Sequence, residues 1–179
     1  RDSFEGGGIY VEDQVIRQVG PSAALPQRAD RVIDAHGMVI LPGLVNTHHH
    51  LYQSLTRALP GAQNAKLFDW LRYLYPIWAG LTSEAVYVSA LVALGELALS
   101  GCTTSTDHLY IYPNDTRIDD EIRAARELGI RFQPSRGSMS MGESEGGLPP
   151  DSVVEDEDEI MADTERAYHE HHDPSPYSM

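Results

Sequence analysis

Val39-Ile40-Leu41-Pro42-Gly43-Leu44-Val45-Asn46-Thr47-His48-His49-His50 joins an apolar run to a cluster of histidines. An apolar run interrupted by Pro42-Gly43 reads as a buried strand entered through a turn. The run ends on three histidines. Side chains alternate across a strand, so His48 and His50 point to one side and His49 to the other. Two imidazoles on one side of a strand end can share a metal ion at Zn–N distances of ~2.0–2.1 Å. His49 is left to support the pair or to pack behind it. A purification tag does not account for the cluster, which is internal and follows an apolar strand.

Upstream, Ile9-Tyr10-Val11 and Val15-Ile16 flank Glu12-Asp13-Gln14 and predict a short hairpin with an acidic turn. Arg31-Val32-Ile33-Asp34 predicts a further short strand, after a loop that begins at Gly20-Pro21 and runs to Pro26.

Downstream, a short helix is expected from Asp69 to Leu74, stopped by Pro76. The clearest helix is Ser83 to Leu99, with Ser83 as N-cap, Gly101 at its end and Val88, Leu91, Val92, Gly95 and Leu99 at helical spacing. Cys102 to Thr106 is β-prone and leads to Asp107-His108. Asp119-Asp120-Glu121 opens a helix through Leu128, closed by Gly129. Ile130 to Gln133 predicts a strand, residues 142–150 a loop, and residues 152–172 an acidic helix.

From residue 39 the order is strand, helix, strand, helix, strand, helix, which implies parallel strands with crossover helices. All three strand ends carry polar residues: His48 and His50, Asp107 and His108, Arg136 and Ser138. Ligands of parallel α/β folds bind at the carboxyl ends of strands.

Composition narrows the function classes. The chain has 179 residues, 41% hydrophobic and 22% charged, ordinary for a globular protein. No apolar run reaches the ~18–20 residues that span a bilayer, so a membrane partner is not expected. A single cysteine, Cys102, excludes a disulfide framework, a four-cysteine zinc site and the deaminases built on a paired-cysteine motif. It reads as a buried structural thiol. The net charge of -14 is local, because residues 143–173 hold 12 of the 27 acids and a single base, Arg166. That stretch reads as a solvated helix face, and nucleic-acid binding through a basic surface is not expected. His169, His171 and His172 sit at a helix end, where the helix dipole favours cations, and no HExxH pattern accompanies them.

Asp34-Ala35-His36-Gly37-Met38 together with the stretch from Val39 to His50 resembles the start of an amidohydrolase-superfamily enzyme. The likeness points to the branch holding guanine and 8-oxoguanine deaminases and triazine hydrolases. Leu51-Tyr52-Gln53-Ser54-Leu55-Thr56-Arg57, Gly101 to His108, Arg136 to Ser140 and Gly146 to Pro150 resemble the 8-oxoguanine deaminases further.

The resemblance implies an α/β fold. Residues 1–40 would be the N-terminal piece of a small β-sandwich. Residues 41–179 would be about three βα units of a metal-dependent (β/α)8 TIM-type barrel. A closed barrel needs ~250 residues, so this length cannot complete one. Both chain ends read as cut, and the isolated chain is expected to be inactive and poorly stable, with an unpaired sheet edge.

The resemblance further implies one divalent metal ion, zinc with iron(II) as the alternative, held in part by His48 and His50. It implies hydrolytic removal of an amino group from a heteroaromatic ring such as 8-oxoguanine or guanine. Alternatives are a triazine chloro- or alkylamino-hydrolase on the same scaffold, and a non-catalytic binding module that kept the histidine pair. The remaining ligands, a later histidine and a late aspartate, have no counterpart in this stretch, nor do the glutamate and histidine that move protons.

Gln53 matches the glutamine that binds the purine edge in guanine deaminases, and a carboxamide can pair with a lactam-type ring. Trp70 matches the aromatic residue placed over the substrate ring, or packs in its helix. Tyr73 and Trp78 read as packing. His108 is open to substrate hydrogen bonding or to a structural role beside Asp107. Arg136 is open to binding a ring carbonyl or to holding the loop 142–150. The expected partner is a small heteroaromatic molecule, and the resemblance implies a cytoplasmic homo-oligomer.

Overall fold

The computed structural model describes residues 5–175. The chain divides between Pro42 and Gly43 into two compact units.

In the first unit, β1 (Gly7–Glu12) and β2 (Val15–Pro21) form an antiparallel hairpin, with Glu12 opposite Val15 across the acidic turn. Asp13 takes the positive φ of 56° that the turn requires. The expected strand at Arg31–Asp34 does not form. Val32 and Ile33 stay exposed, and the only sheet of this unit among the described residues is the hairpin. An apolar dipeptide without a partner edge has nothing to pair its backbone with.

In the second unit, β3 (Leu44–Asn46), β4 (Cys102–Leu109) and β5 (Arg131–Arg136) form a parallel sheet in that order. The helices are α1 (Leu67–Trp78), α2 (Ser83–Leu99), α3 (Ile118–Leu128) and α4 (Glu157–His171). The alternation expected from residue 39 is therefore present, without a closed barrel.

The strand expected across Val39 to Val45 is shorter and more exposed. Only Leu44–Asn46 pair, and Leu44 and Val45 are 60% and 63% exposed. β3 is an edge of this sheet, with one neighbour to cover its apolar side chains. By contrast, β4 runs past Thr106 through Asp107 and His108, because β5 pairs with it as far as Leu109 opposite Arg136. Polar residues end a strand in a sequence reading, but here β5 pairs their backbone and Leu51 N–H donates to Asp107 Oδ1.

Pro76 does not stop α1, which continues to Trp78. Proline removes one N–H near the helix end, and the ladder resumes where Ala79 N–H donates to the Tyr75 carbonyl at 2.8 Å. Buried Trp78 holds that last turn by donating its indole N–H to Thr56 Oγ1 at 3.0 Å.

The N-cap of α2 is Thr82 rather than Ser83; its Oγ1 accepts from Ala85 N–H at 3.3 Å. Ser83 instead donates its hydroxyl to Asp120 Oδ1 at 2.6 Å, joining the starts of α2 and α3. The buried face of α2 is Val86, Ser89, Ala90, Ala93 and Leu94, not the expected stripe, and Leu99 is 93% exposed. α2 is apolar nearly all round, so periodicity cannot select a face. The small side chains win because they let α3 approach. Leu51, Ala90, Ala93, Leu94, Ala124, Ala125 and Ile130 form one core there. A second core gathers Tyr52, Leu74, Tyr75, Trp78, Val86, Leu109, Ile111, Ile118 and Ile122.

α3 closes as expected at Gly129, which takes φ 70°, a left-handed conformation that costs glycine little. The acidic helix α4 is shorter than expected, because residues 151–153 form a separate 3-10 turn.

Candidate active site

The stretch following β3 is held by β4. His108 N–H donates to the His49 carbonyl at 3.0 Å and so extends the parallel pairing past Asn46. The His108 carbonyl in turn accepts from His50 Nδ1 at 2.8 Å. One residue earlier on β4, Asp107 Oδ1 accepts from Leu51 N–H at 2.7 Å. Ser89 of α2 donates its hydroxyl to the Leu51 carbonyl at 2.7 Å. Two neighbouring residues of β4 and one of α2 thus fix the backbone around His50.

A carbonyl can only accept, so His50 Nδ1 carries a proton, and in the neutral imidazole that leaves the lone pair on Nε2. The His48 and His50 rings lie 5.0 Å apart, edge to face. An imidazole with Nε2 free and Nδ1–H bound to a carbonyl is the form in which histidine ligates metal. This pair therefore fits as part of a divalent metal site. Among the described residues no third histidine, cysteine or carboxylate completes a three-ligand group with it. His49 borders a shallow hollow together with His48, His50, Gln53, Ser54 and Arg57. Its buried Nδ1 has no hydrogen-bond partner among the described residues, and burial, with His50 nearby, pushes its pKa below the usual value.

His48 and His50 open into a cleft of about 510 Å3 that also takes in Gln53, Trp70, His108, Tyr110 and Ser138, with Leu67, Leu71 and Tyr75 as apolar wall. Gln53 follows His50 on a 3-10 turn (Leu51–Thr56). Its Nε2 donates to Tyr52 Oη at 3.0 Å and to Tyr110 Oη at 3.3 Å. With both amide hydrogens used, Oε1 is the group left to accept. Burial raises the pKa of both phenols above the usual tyrosine value, so they remain protonated. Trp70 lines the cleft and packs edge-on against Trp78 at 5.3 Å between ring centroids.

Arg136 is not brought to the cleft, which corrects its placement as a substrate-binding residue. Its guanidinium is 5% exposed and ion-paired with Glu155 and, at 3.1 Å, with Asp163. It also lies 4.1 Å over the Tyr112 ring. The loop 142–150 is not its partner either; Arg136 fastens α4, and Glu155 two residues before it, to the end of β5. The reason is charge: residues 155–163 present acids to the cation that leaves the sheet there.

Asp119, Glu170 and His171 bring three potential ligand atoms within 4.8 Å. Arg166 fills that space, donating to Asp119 Oδ2 at 2.8 Å and to Glu170 at 2.6 Å, so the cluster is an ion-pair network. Cys102 is buried and donates its thiol to the Thr104 carbonyl at 3.2 Å, a structural role.

Sequence reasoning missed Tyr52 and Tyr110. The signal for Tyr110 was present: it follows His108 by two residues and so continues the same side of an extended chain. Its ring centroid lies 5.4 Å from that of His108.

The model of the amidohydrolase family matches residues 39–174. The chain belongs to the amidohydrolase family. Among its relatives, the 8-oxoguanine deaminase of Pseudomonas aeruginosa is 47% identical over 169 residues, 93% of this chain and 38% of the relative. Hydroxydechloroatrazine ethylaminohydrolase of a Pseudomonas species is 35% identical over 180 residues, 98% of this chain and 37% of the relative. The crystal structure of an atrazine chlorohydrolase from Arthrobacter aurescens complexed with zinc superposes with a TM-score of 0.90 at 34% identity, over 97% of this chain and 40% of that one. This amidohydrolase chain thus spans well under half the length of the proteins it matches. No helix among its described residues is long and apolar enough to cross a membrane.

Proposed function

We propose that this chain is the metal-binding N-terminal part of a hydrolytic deaminase acting on an amino-substituted heteroaromatic ring such as 8-oxoguanine or guanine. The observation that carries this reading is the meeting of His48, His50, Gln53, Trp70 and His108 around one cleft. In this reading residues 1–40 belong to a β-sandwich and residues 41–179 supply the first three βα units of a (β/α)8 barrel.

His48 and His50 would hold one divalent ion, zinc or iron(II), together with ligands from other parts of the protein. Such an ion supplies a bound water whose pKa is lowered to ~7, a nucleophile at neutral pH. The chain's own residues bind and orient. Gln53 Oε1, with its amide hydrogens taken by Tyr52 and Tyr110, accepts from a ring N–H or exocyclic amino group. Trp70 offers an indole face for stacking against a flat ring, a contact worth ~0.5–1.5 kcal/mol beyond area burial. The His108 ring is a further polar contact on the same wall. Leu67, Leu71 and Tyr75 exclude water from one side.

The likeness to triazine hydrolases supports a second reading: the same site with a chloride or alkylamine leaving group. Ammonia release by the full-length metal-loaded protein on 8-oxoguanine and guanine, compared with hydrolysis of chloro- and alkylamino-triazines, separates them. Preference for the oxopurines is expected. Turnover of triazines alone would replace the first reading by the second, and no turnover of either class with metal bound would overturn both.

A further inference from the structure

Behind the histidine pair lies a buried acid–acid contact. Asp107 on β4 is 1% exposed and Glu121 on α3 is fully buried. Each carboxyl group bears on the ionisation of the other. Asp107 Oδ1 is committed to Leu51 N–H, but Asp107 Oδ2 and both Glu121 oxygens find no N–H or hydroxyl donor among the described residues. Three bare acceptor oxygens at one buried contact are untenable as two charges: each desolvated charge is costly, and their repulsion adds to that cost. One proton between them resolves the contact, with Glu121 O–H donating to Asp107 Oδ2. Burial drives both groups above the usual carboxyl range, and the charge of Asp107 pushes Glu121 up further.

We propose that Glu121 is a positioning residue for the metal centre: as a neutral acid it donates to Asp107, which holds Leu51 N–H and thereby fixes His50 beside it. The contacts form a short chain. Glu121 fixes Asp107, Asp107 fixes the Leu51 amide, and the next residue of β4, His108, fixes the His50 ring at 2.8 Å. This links α3, which reaches neither the cleft nor the histidines, to the orientation of a ligand. Such supporting partners are typically worth ~10–100-fold in metal affinity. The inference rests on the reading of His48 and His50 as ligands.

Zinc affinity by chelator competition and the visible absorption of the cobalt(II)-substituted full-length protein test it. Glu121→Leu keeps bulk but removes the donor, and is expected to weaken zinc by at least ~10-fold and to alter the cobalt spectrum. Glu121→Gln, whose amide still donates to Asp107, is expected to restore both. A Glu121→Leu protein with wild-type zinc affinity and spectrum overturns the positioning role, as does Glu121→Gln falling as far as Glu121→Leu. Should Glu121→Leu not fold, Asp107→Asn carries the test. Its carbonyl keeps Leu51 N–H and its amide donates to Glu121, so affinity should hold, and a tenfold loss would overturn the role. A wild-type protein that binds no zinc at all defeats the ligand reading itself, an outcome distinct from any ordering of the variants.

Discussion

His50 and His108 are joined by a 2.8 Å hydrogen bond in which the His50 Nδ1–H donates to the main-chain carbonyl of His108. The acceptor is backbone, so no side-chain substitution at residue 108 removes it. The tautomer of His50 is set by the path of β4. Replacing His108 by Ala should therefore leave zinc stoichiometry near the wild-type value, whereas His50→Ala or His48→Ala removes a donor outright. Loss at a direct ligand should exceed the ~10–100-fold typical of supporting partners. Metal analysis of the full-length variants after dialysis checks the contrast; equal metal loss in all three would refute it.

Gln53 is expected to matter for substrate and not for metal. Gln53→Ala removes the acceptor that Tyr52 and Tyr110 orient, and an unpaired polar group costs ~1–3 kcal/mol. A fall of roughly 10–100-fold in kcat/KM on 8-oxoguanine is expected, with zinc content unchanged. Steady-state kinetics beside metal analysis decides it.

Gly137 N–H donates to the Leu109 carbonyl at 2.7 Å, and a Cβ there would collide with the His108 ring and stand 2.7 Å from Tyr110 Cβ. Gly137→Ala should displace the wall of the cleft that His108 and Tyr110 form. Overpacking of this kind costs ~1–3 kcal/mol. The expected result is a raised KM together with a shifted His108 ring resonance in NMR spectra. An unchanged KM would show that the wall yields elsewhere.

Arg136→Ala leaves Glu155 without its cation in a poorly solvated place, while Asp163 keeps Arg166 at 2.8 Å. Breaking a buried pair from one side costs ~3–5 kcal/mol. Thermal melting should show the loss, and hydrogen exchange should rise first in α4, the element Arg136 fastens.

Asp119 sets an acid limit. Burial works to raise its carboxyl, but hydrogen bonds from Arg166 and His171 outweigh this and hold it at about 2. A depressed folded pKa gives stability that is present above the unfolded value of ~3.9 and is lost as pH falls through the folded one. Stability should decline between those two values, and Asp119→Asn should flatten that part of the curve. Urea titrations across the acid range measure it, and parallel curves would contradict the assignment.

The sequence by itself determined the alternation of strands and helices, the hairpin at its start and the histidine pair. These are local features: turn residues, caps such as Gly129, and apolar runs closed by polar residues. It also supplied Gln53 and Trp70, through motif likeness. Tertiary structure decided what depends on partners distant in the chain. The length of β4 followed from β5 and from Leu51, which satisfy polar groups that in isolation end a strand. The buried face of α2 followed from its fit to α3, because a helix apolar nearly all round has no preferred side. Arg136 turned to acids near residues 155–163 that no local pattern connects to it. The contact of Asp107 with Glu121 was likewise hidden, since in sequence both are ordinary acids; only burial against each other makes them a pair that must share a proton.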